Sequence, residues 1–284
     1  MGNVVDFHIH TTASDGTDTA EQIIEKIQKA GIHTFSITDH DTIENALLMI
    51  QLVPDSLQYV PGIEFSCKSA FKKCHILGYG FDHTDVVFQN ALNMGIELRQ
   101  NKLVRRIAFL KERFNIELTP GEFDWLYGLT SPGKPAFGEL LVKRGLANSI
   151  NDAITTYINP CKEQNDRIDS DMAIKGILHA GGIPIWAHPL GGEGEKRLTK
   201  DEFSKQLNIL LDSGIRGLEC FYSRYSQEDI DFLLEQARTH HLLISAGSDY
   251  HGKNKDNISL GKLNADNTVI DTSLLSIQEE IHFV

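Results

Sequence analysis

The chain is poor in the residues that would staple it covalently or bind metal through sulfur. Its only cysteines are Cys67, Cys74, Cys161 and Cys220, and no two stand in a C-x-x-C spacing. That excludes a thiolate zinc knuckle and a disulfide-framed secreted scaffold, and it fits a reducing compartment. Positive charge is also scarce: 27 lysines and arginines stand against 39 aspartates and glutamates, for a net charge of −12. Long nucleic acid, whose binding rests on phosphate neutralisation, is therefore not an expected partner, although a small phosphorylated substrate is not excluded. No apolar run approaches the roughly 20 residues of a membrane span. The first residues lack the basic and apolar regions of a signal peptide, so a cytoplasmic location is expected and a membrane partner is not. There is no internal repeat and no low-complexity segment.

What the chain does have is histidine in telling places. Asp6-Phe7-His8-Ile9-His10 follows a short apolar run and precedes Asp15. On a strand, His8 and His10 point to one side, because side chains alternate with period two. Two such imidazoles at a strand end form a metal-ligand pair. A single histidine in that position would more often be an ordinary core or surface residue. The same chemistry recurs, however, in Thr38-Asp39-His40-Asp41, Pro61-Gly62-Ile63-Glu64, His75, Ala187-His188-Pro189 and Ser248-Asp249-Tyr250-His251. Several of these motifs close an apolar run, and that repetition favours ligation.

The patterning predicts seven strands, mostly separated by helices: 4–8, 34–38, 59–65, 74–79, 183–187, 217–221 and 242–246. Thr19 with Gln22 and Thr199 with Glu202 read as capping boxes that open helices, and Gly31 reads as a helix stop. Further helices are expected near 43–51, 91–114, 136–144, 150–157 and 226–239. Alternation of this kind argues for an α/β architecture, either a parallel sheet or a closed barrel. Between about 84 and 182 the pattern is helical with no strong strand. Residues 1–83 and 183–284 are therefore expected to form the α/β body and 84–182 a helical insertion. In α/β barrels functional groups sit at the C-terminal ends of strands. His75 stands at the start of its predicted strand, so it can join the others only if the chain there runs back across the mouth.

In this order, His8-x-His10, Ser14-Asp15-Gly16, Thr38-Asp39-His40, Pro61-Gly62-Ile63-Glu64, Ala187-His188-Pro189 and Gly247-Ser248-Asp249-x-His251 resemble the polymerase and histidinol phosphatase (PHP) superfamily. The match covers about 1–83 and 183–261. The resemblance implies a distorted seven-stranded (β/α)7 barrel and a centre of three divalent metal ions. Its ligands would be His8, His10, Asp15, His40, Glu64, His75, His188, Asp249 and His251. The mixed imidazole and carboxylate set suits Mn2+, Fe2+ or Zn2+. Such a centre fits phosphoester hydrolysis by a metal-bridging hydroxide, with Glu64 and Asp249 as bridging carboxylates and His188 or His251 able to protonate the leaving group. Asp39 and Asp41 are expected to orient imidazoles, with a capping or surface role an equal alternative for Asp41.

Phosphate charge beyond the metals needs cations. The candidates are Lys134 in Ser131-Pro-Gly-Lys-Pro135, Arg144, Arg197 after Gly191-Gly192-Glu193-Gly194, and Arg224. Tyr222 and Tyr225 are candidates for stacking on a sugar or base, or equally for the core rim. Nucleotide-cleaving relatives carry His where Lys134-Pro135-Ala136-Phe137-Gly138 has Ala136. The segments 187–195 and 219–225 look more like the branch acting on 5-phosphoribosyl 1,2-cyclic phosphate, an intermediate of phosphonate breakdown. That sugar phosphate is the leading expectation. The alternative is a nucleoside 3′,5′-bisphosphate phosphatase or a 5′-3′ exoribonuclease on short RNA. Histidinol phosphatase, a catalytically silent binding module and an amidohydrolase are weaker readings. The last of these usually adds a bridging lysine late in the barrel, for which the chain offers no clear candidate.

Overall fold

The computed structural model describes residues 4–162, 166–192, 195–268 and 272–284. The chain opens with β1 (Val4–Asp6) and α1 (Ala20–Ala30). The Thr19–Gln22 capping box starts α1, left-handed Gly31 stops it, and Ala20, Ile23 and Ile27 are the buried face. Then come β2 (Ile32–Phe35), α2 (Glu44–Leu52) and β3 (Gln58–Tyr59), and β1, β2 and β3 pair in parallel as a small sheet.

The larger sheet is mixed. Its order is β6 (Ile168–Asp169), β4 (Gly62–Lys68), β5 (Lys73–Tyr79), β7 (Ile183–Trp186), β8 (Gly217–Tyr222) and β9 (Leu243–Gly247). All its pairings are parallel except those of β5, which runs antiparallel to both β4 and β7. The cause is local: the short loop 69–72 joins β4 to β5, and so tight a connection allows only an antiparallel pair. The start of β5 therefore lies at the same end as the finish of its parallel neighbours.

The described residues hold nine strands where the sequence suggests seven. Residues 59–65 divide between β3 and β4 and thus between the two sheets, with Val60-Pro61 at the break, where proline removes a ladder donor. The two-residue β6 falls in a stretch that reads as strand-free. The sheets approach each other at two isolated parallel bridges, Ile9 with Tyr250 and His40 with Glu64.

The helices are α3 (Val86–Phe114), α4 (Pro120–Tyr127), α5 (Lys134–Lys143), α6 (Ile150–Ala153) running into a π-helical turn at Ile154–Ile158, α7 (Ser170–His179), α8 (Lys200–Ser213) and α9 (Gln227–Thr239). Three apolar clusters form. The largest joins the six-stranded sheet to α7, α8, α9 and the first turns of α3 through Phe88, Leu92, Ile174, Ile177, Leu207 and Leu233. A second joins α1 to the small sheet through Ile23, Ile27, Phe35 and Tyr59. The third, with Leu103, Leu110, Leu126, Phe137, Leu141 and Ile158, lies between the later turns of α3 and α4–α6. Among the described residues no helix is long and apolar enough to cross a membrane.

β1 ends at Asp6, and the chain beyond it is pressed against β9. Phe7 N–H donates to Ala246 O at 3.1 Å and Asp249 N–H to His8 O at 2.9 Å. The approach is so close that a Cβ on Gly247 would sit 2.1 Å from the Cβ of His8 and 2.8 Å from Glu219 Oε1. Gly247→Ala should therefore destabilise the protein by about 1–3 kcal/mol, the range for overpacking a filled interior. Gly121→Ala, with nothing within 4 Å of the added carbon, should not destabilise it. Denaturant midpoints of the two variants test this, and an unshifted Gly247→Ala midpoint would refute the close packing.

Candidate metal centre and active site

Glu64, buried on β4, stands at the middle of a cage of imidazoles. Its Oε2 lies 2.8 Å from His40 Nδ1, 3.2 Å from His10 Nε2 and 3.4 Å from His8 Nε2. Its Oε1 lies 2.9 Å from His75 Nδ1 and 3.2 Å from His188 Nε2. Asp249 Oδ1 is 3.4 Å from His251 Nδ1, 3.5 Å from His10 Nε2 and 3.6 Å from His8 Nε2. Asp15 reaches His251 Nε2 at 3.2 Å, His10 Nδ1 at 3.6 Å and His40 Nε2 at 3.9 Å. The nine side chains singled out in the sequence thus form one connected cluster. His75 takes part because β5 is antiparallel.

Three subsets have ligand atoms mutually within 4.8 Å: His10, Asp15, His40 and His251; His8, His10 and Asp249; and His40, Glu64 and His75. Glu64 Oε2 and His40 Nδ1 are buried and 2.8 Å apart, yet neither makes a hydrogen bond among the described residues. Buried polar atoms left in that state are costly, and a divalent cation ligated by both removes the cost. The donor set therefore fits metal.

The electrostatics agree. Burial pushes the Glu64 carboxyl up, but the charges of His40, His75 and His8 outweigh it and hold the group well below the usual carboxylate range. Asp249 is likewise held low against burial by Lys255 and His251, and Asp15 by His251 and His40. Burial pushes His40 down to about 4 and also lowers His251. These groups are poised in the anionic and neutral forms that bind metal. In His10, burial opposes protonation, but the carboxylates of Asp249 and Glu64 raise it to about 9. That marks a place where the cluster demands positive charge.

Neighbouring groups hold the cage. Glu219 Oε1 lies 2.9 Å from His8 Nδ1, and its Oε2 accepts the His188 N–H at 2.7 Å. His188 and Asp249 both have left-handed backbones, with φ of 30° and 59°. Such conformations cost energy and persist where packing fixes them. The hydrogen bonds of Asp39 and Asp41 go to other groups than imidazoles. Asp39 accepts from Thr11 N–H at 2.8 Å and from Ser14 Oγ at 2.5 Å, fixing the loop after His10. Asp41 accepts from Ser66 N–H and from Arg99, tying β4 to α3.

A cavity of about 420 Å3 opens beside the cage, with His75, His188, Lys134, Arg167 and Lys196 in its wall. Of the four cations marked in the sequence, the structure brings Lys134 to this cavity. Arg144 is instead ion-paired with Glu122, and Arg197 with Asp229. Arg224 lines a separate pocket of about 270 Å3 with Asn257 and Lys262. Glu193 and Gly194, in the segment before Arg197, lie outside the described residues. Tyr222 and Tyr225 are fully buried and hydrogen-bond to Asp249 Oδ2 and Leu190 N–H, so neither offers a stacking face.

The structure also supplies residues the sequence reading missed. Arg167 Nη1 lies 2.9 Å from His75 Nε2. Arg99, Lys102 and Arg106 are buried along one side of α3. Burial, then the charges of Arg99, Arg167 and Arg106, push Lys102 down to about 7. Helical spacing could have signalled the α3 trio. Glu219, a carboxylate inside an otherwise apolar strand, was visible for the same kind of reason. Arg167 carried no such signal.

The PHP domain family matches residues 6–159, more than half the chain. The chain belongs to the PHP domain family. It is 29% identical over 257 residues to the 5′-3′ exoribonuclease Rnm of Escherichia coli, covering 87% of this chain and 85% of the relative. It is 26% identical over 265 residues to the phosphoribosyl 1,2-cyclic phosphate 1,2-diphosphodiesterase of Eggerthella lenta, covering 88% and 95%. Its fold matches that of a proposed metal-dependent phosphoesterase from Bifidobacterium adolescentis, with a TM-score of 0.81 and 23% identity, over 99% of this chain and 96% of the other. The chain is a phosphoesterase of that family.

Because Glu219 orients His8 and supports the backbone of His188, Glu219→Gln should weaken metal binding about 10- to 100-fold, as loss of a carboxylate behind a ligating histidine does. Chelator competition with elemental analysis measures this. Wild-type affinity in the variant would remove Glu219 from the centre.

Proposed function

We propose that this PHP phosphoesterase hydrolyses a small phosphorylated sugar or nucleotide, with the scissile ester at the nine-residue cage and a second phosphate in the adjoining cavity. The observation that carries the reading is the shared wall: His75 and His188 of the cage line the same cavity as Lys134 and Arg167. The cage would hold three divalent ions, Mn2+, Fe2+ or Zn2+, on His8, His10, Asp15, His40, Glu64, His75, His188, Asp249 and His251. Bound there, such ions supply an activated water and neutralise phosphoryl charge.

The chain's own residues do the rest. Glu64 would be the shared ligand of the cage, since its oxygens face different imidazoles: Oε2 meets His8, His10 and His40, and Oε1 meets His75 and His188. Asp249 offers the cage one oxygen rather than two, because only Oδ1 faces imidazoles. His188 stands at the boundary of cage and cavity, where a leaving group would depart, and is the better placed of the two histidines considered for protonating it. Lys134 and Arg167 give charge-assisted contacts to the remote phosphate.

The leading substrate is 5-phosphoribosyl 1,2-cyclic phosphate, opened at the cyclic ester and then cleaved as a monoester. The likeness to the Eggerthella lenta enzyme supports it. A nucleoside bisphosphate or the 5′ end of short RNA is the second reading, favoured by the likeness to the exoribonuclease. We further read the two sheets as one distorted barrel whose seven longer strands correspond to the predicted set, closed by the bridges Ile9–Tyr250 and His40–Glu64. Of the segment 84–182, the later turns of α3 with α4–α6 would form the insertion, with the third apolar cluster as its own core, while the first turns of α3, β6 and α7 pack with the larger sheet.

A panel of phosphate esters against protein of verified metal content, scored for phosphate release and product identity, tests the class. Failure on every ester would refute it. Lys134→Ala should lower kcat/KM on substrates with a second phosphate roughly ten- to a hundredfold, equivalent to about 1.4–2.7 kcal/mol, and change a simple aryl phosphate little. Equal losses on both would place the second phosphate elsewhere.

A further inference from the structure

Lys255 stands closer to the cage than any role assigned so far explains. It ends the turn Gly252–Lys255 that follows β9. Its Nζ lies 2.6 Å from Asp249 Oδ2, with the ammonium-bearing side chain only 19% exposed. Tyr222 donates its hydroxyl to the same Oδ2 at 3.0 Å. The other oxygen, Oδ1, faces His8, His10 and His251. The carboxylate is thus divided, with one oxygen turned to the imidazoles and the other held by a cation and a phenol.

The turn that carries Lys255 is itself fixed. Lys253 N–H donates to Thr17 Oγ1 at 2.9 Å, and Asn254 Nδ2 donates to Asp15 O at 2.7 Å. Gly252, at φ 63°, has no room for a Cβ, which would meet Thr17 Oγ1 at 2.1 Å. The loop that supplies Asp15 therefore clamps the turn that supplies Lys255.

We propose that Lys255, assisted by Tyr222, is a positioning residue that makes Asp249 a one-oxygen ligand, by keeping Oδ2 turned away from the metals. This rests on the metal-centre reading above. A carboxylate free to rotate could chelate one ion with both oxygens and withdraw from its neighbours. Held as it is, Asp249 presents a single oxygen in a fixed direction. Lys255 also places a positive charge beside the centre, and that charge by itself weakens cation binding. The two effects have opposite signs, so they can be separated by measurement.

The test uses the full-length, metal-loaded protein and its Lys255→Met, Lys255→Arg and Tyr222→Phe variants. Metal affinity is read by chelator competition with elemental analysis, and kcat on an aryl phosphate is read at saturating metal. Lys255→Met should bind one metal equivalent at least tenfold more weakly, keep the others, and lose at least tenfold in kcat. Lys255→Arg should recover most of both, and Tyr222→Phe, which removes only a hydroxyl, should show the same pattern in smaller measure. If Lys255→Met is too unstable to purify, Tyr222→Phe and Lys255→Arg carry the comparison. Tighter metal binding in Lys255→Met would mean that Lys255 acts only through its charge, and wild-type values in Lys255→Met and Tyr222→Phe would mean that neither positions Asp249. Either result overturns this proposal while leaving the centre intact. A wild-type chain that takes up no metal would overturn the metal-centre reading as well.

Discussion

Five imidazoles around the buried carboxylate of Glu64 are the constraint on which the rest of the structure turns. An ionised carboxylate in an interior is tolerated only when opposite charge or metal compensates it, and here the compensation comes from four parts of the fold. His8 and His10 arrive from the stretch after β1, His40 from beyond β2, His75 from β5 and His188 from beyond β7. Each must be delivered to within about a hydrogen-bond length of one residue. The antiparallel course of β5, the left-handed backbone at His188 and the absence of a side chain at Gly247 all serve that delivery. The fold can be read as whatever arrangement brings those five rings to one carboxylate.

Much of this was legible in the sequence, because most cage residues stand in short motifs and several of those motifs close an apolar run. A strand's period fixes which side chains share a face, so His8 and His10 could be paired before any coordinates existed. The direction of β5 was harder. Its hydrophobic pattern is the same in either orientation, and only the brevity of the loop 69–72 decides it, a feature given less weight than the apolar alternation around it. Pro61 was a similar case: the run 59–65 is apolar but for Glu64, and one missing N–H divides it between two sheets.

The cations were read less well, for a general reason. An arginine's position in sequence says little about where a long, flexible side chain ends. Arg144 and Arg197 meet Glu122 and Asp229, partners 22 and 32 residues away, and no local pattern announces such pairs. Glu219 could have been found, since a carboxylate in the middle of a buried strand demands an explanation. Arg167 could not, because its significance comes entirely from the chain's return beside β4 through the two residues of β6.

The bridge between His40 and Glu64 joins the small sheet to the large one, and His8 and Asp249 meet where the first strand lies along the last. The same atoms that form the cage are therefore the seam of the molecule. During synthesis His8 and His10 leave the ribosome 241 residues before Asp249 and His251. Contacts between such distant positions are slow to form. The early histidines must wait for those partners, and a cation captured before then would have to be held by an incomplete set. A complete cage would thus come only with the closure that joins the two sheets.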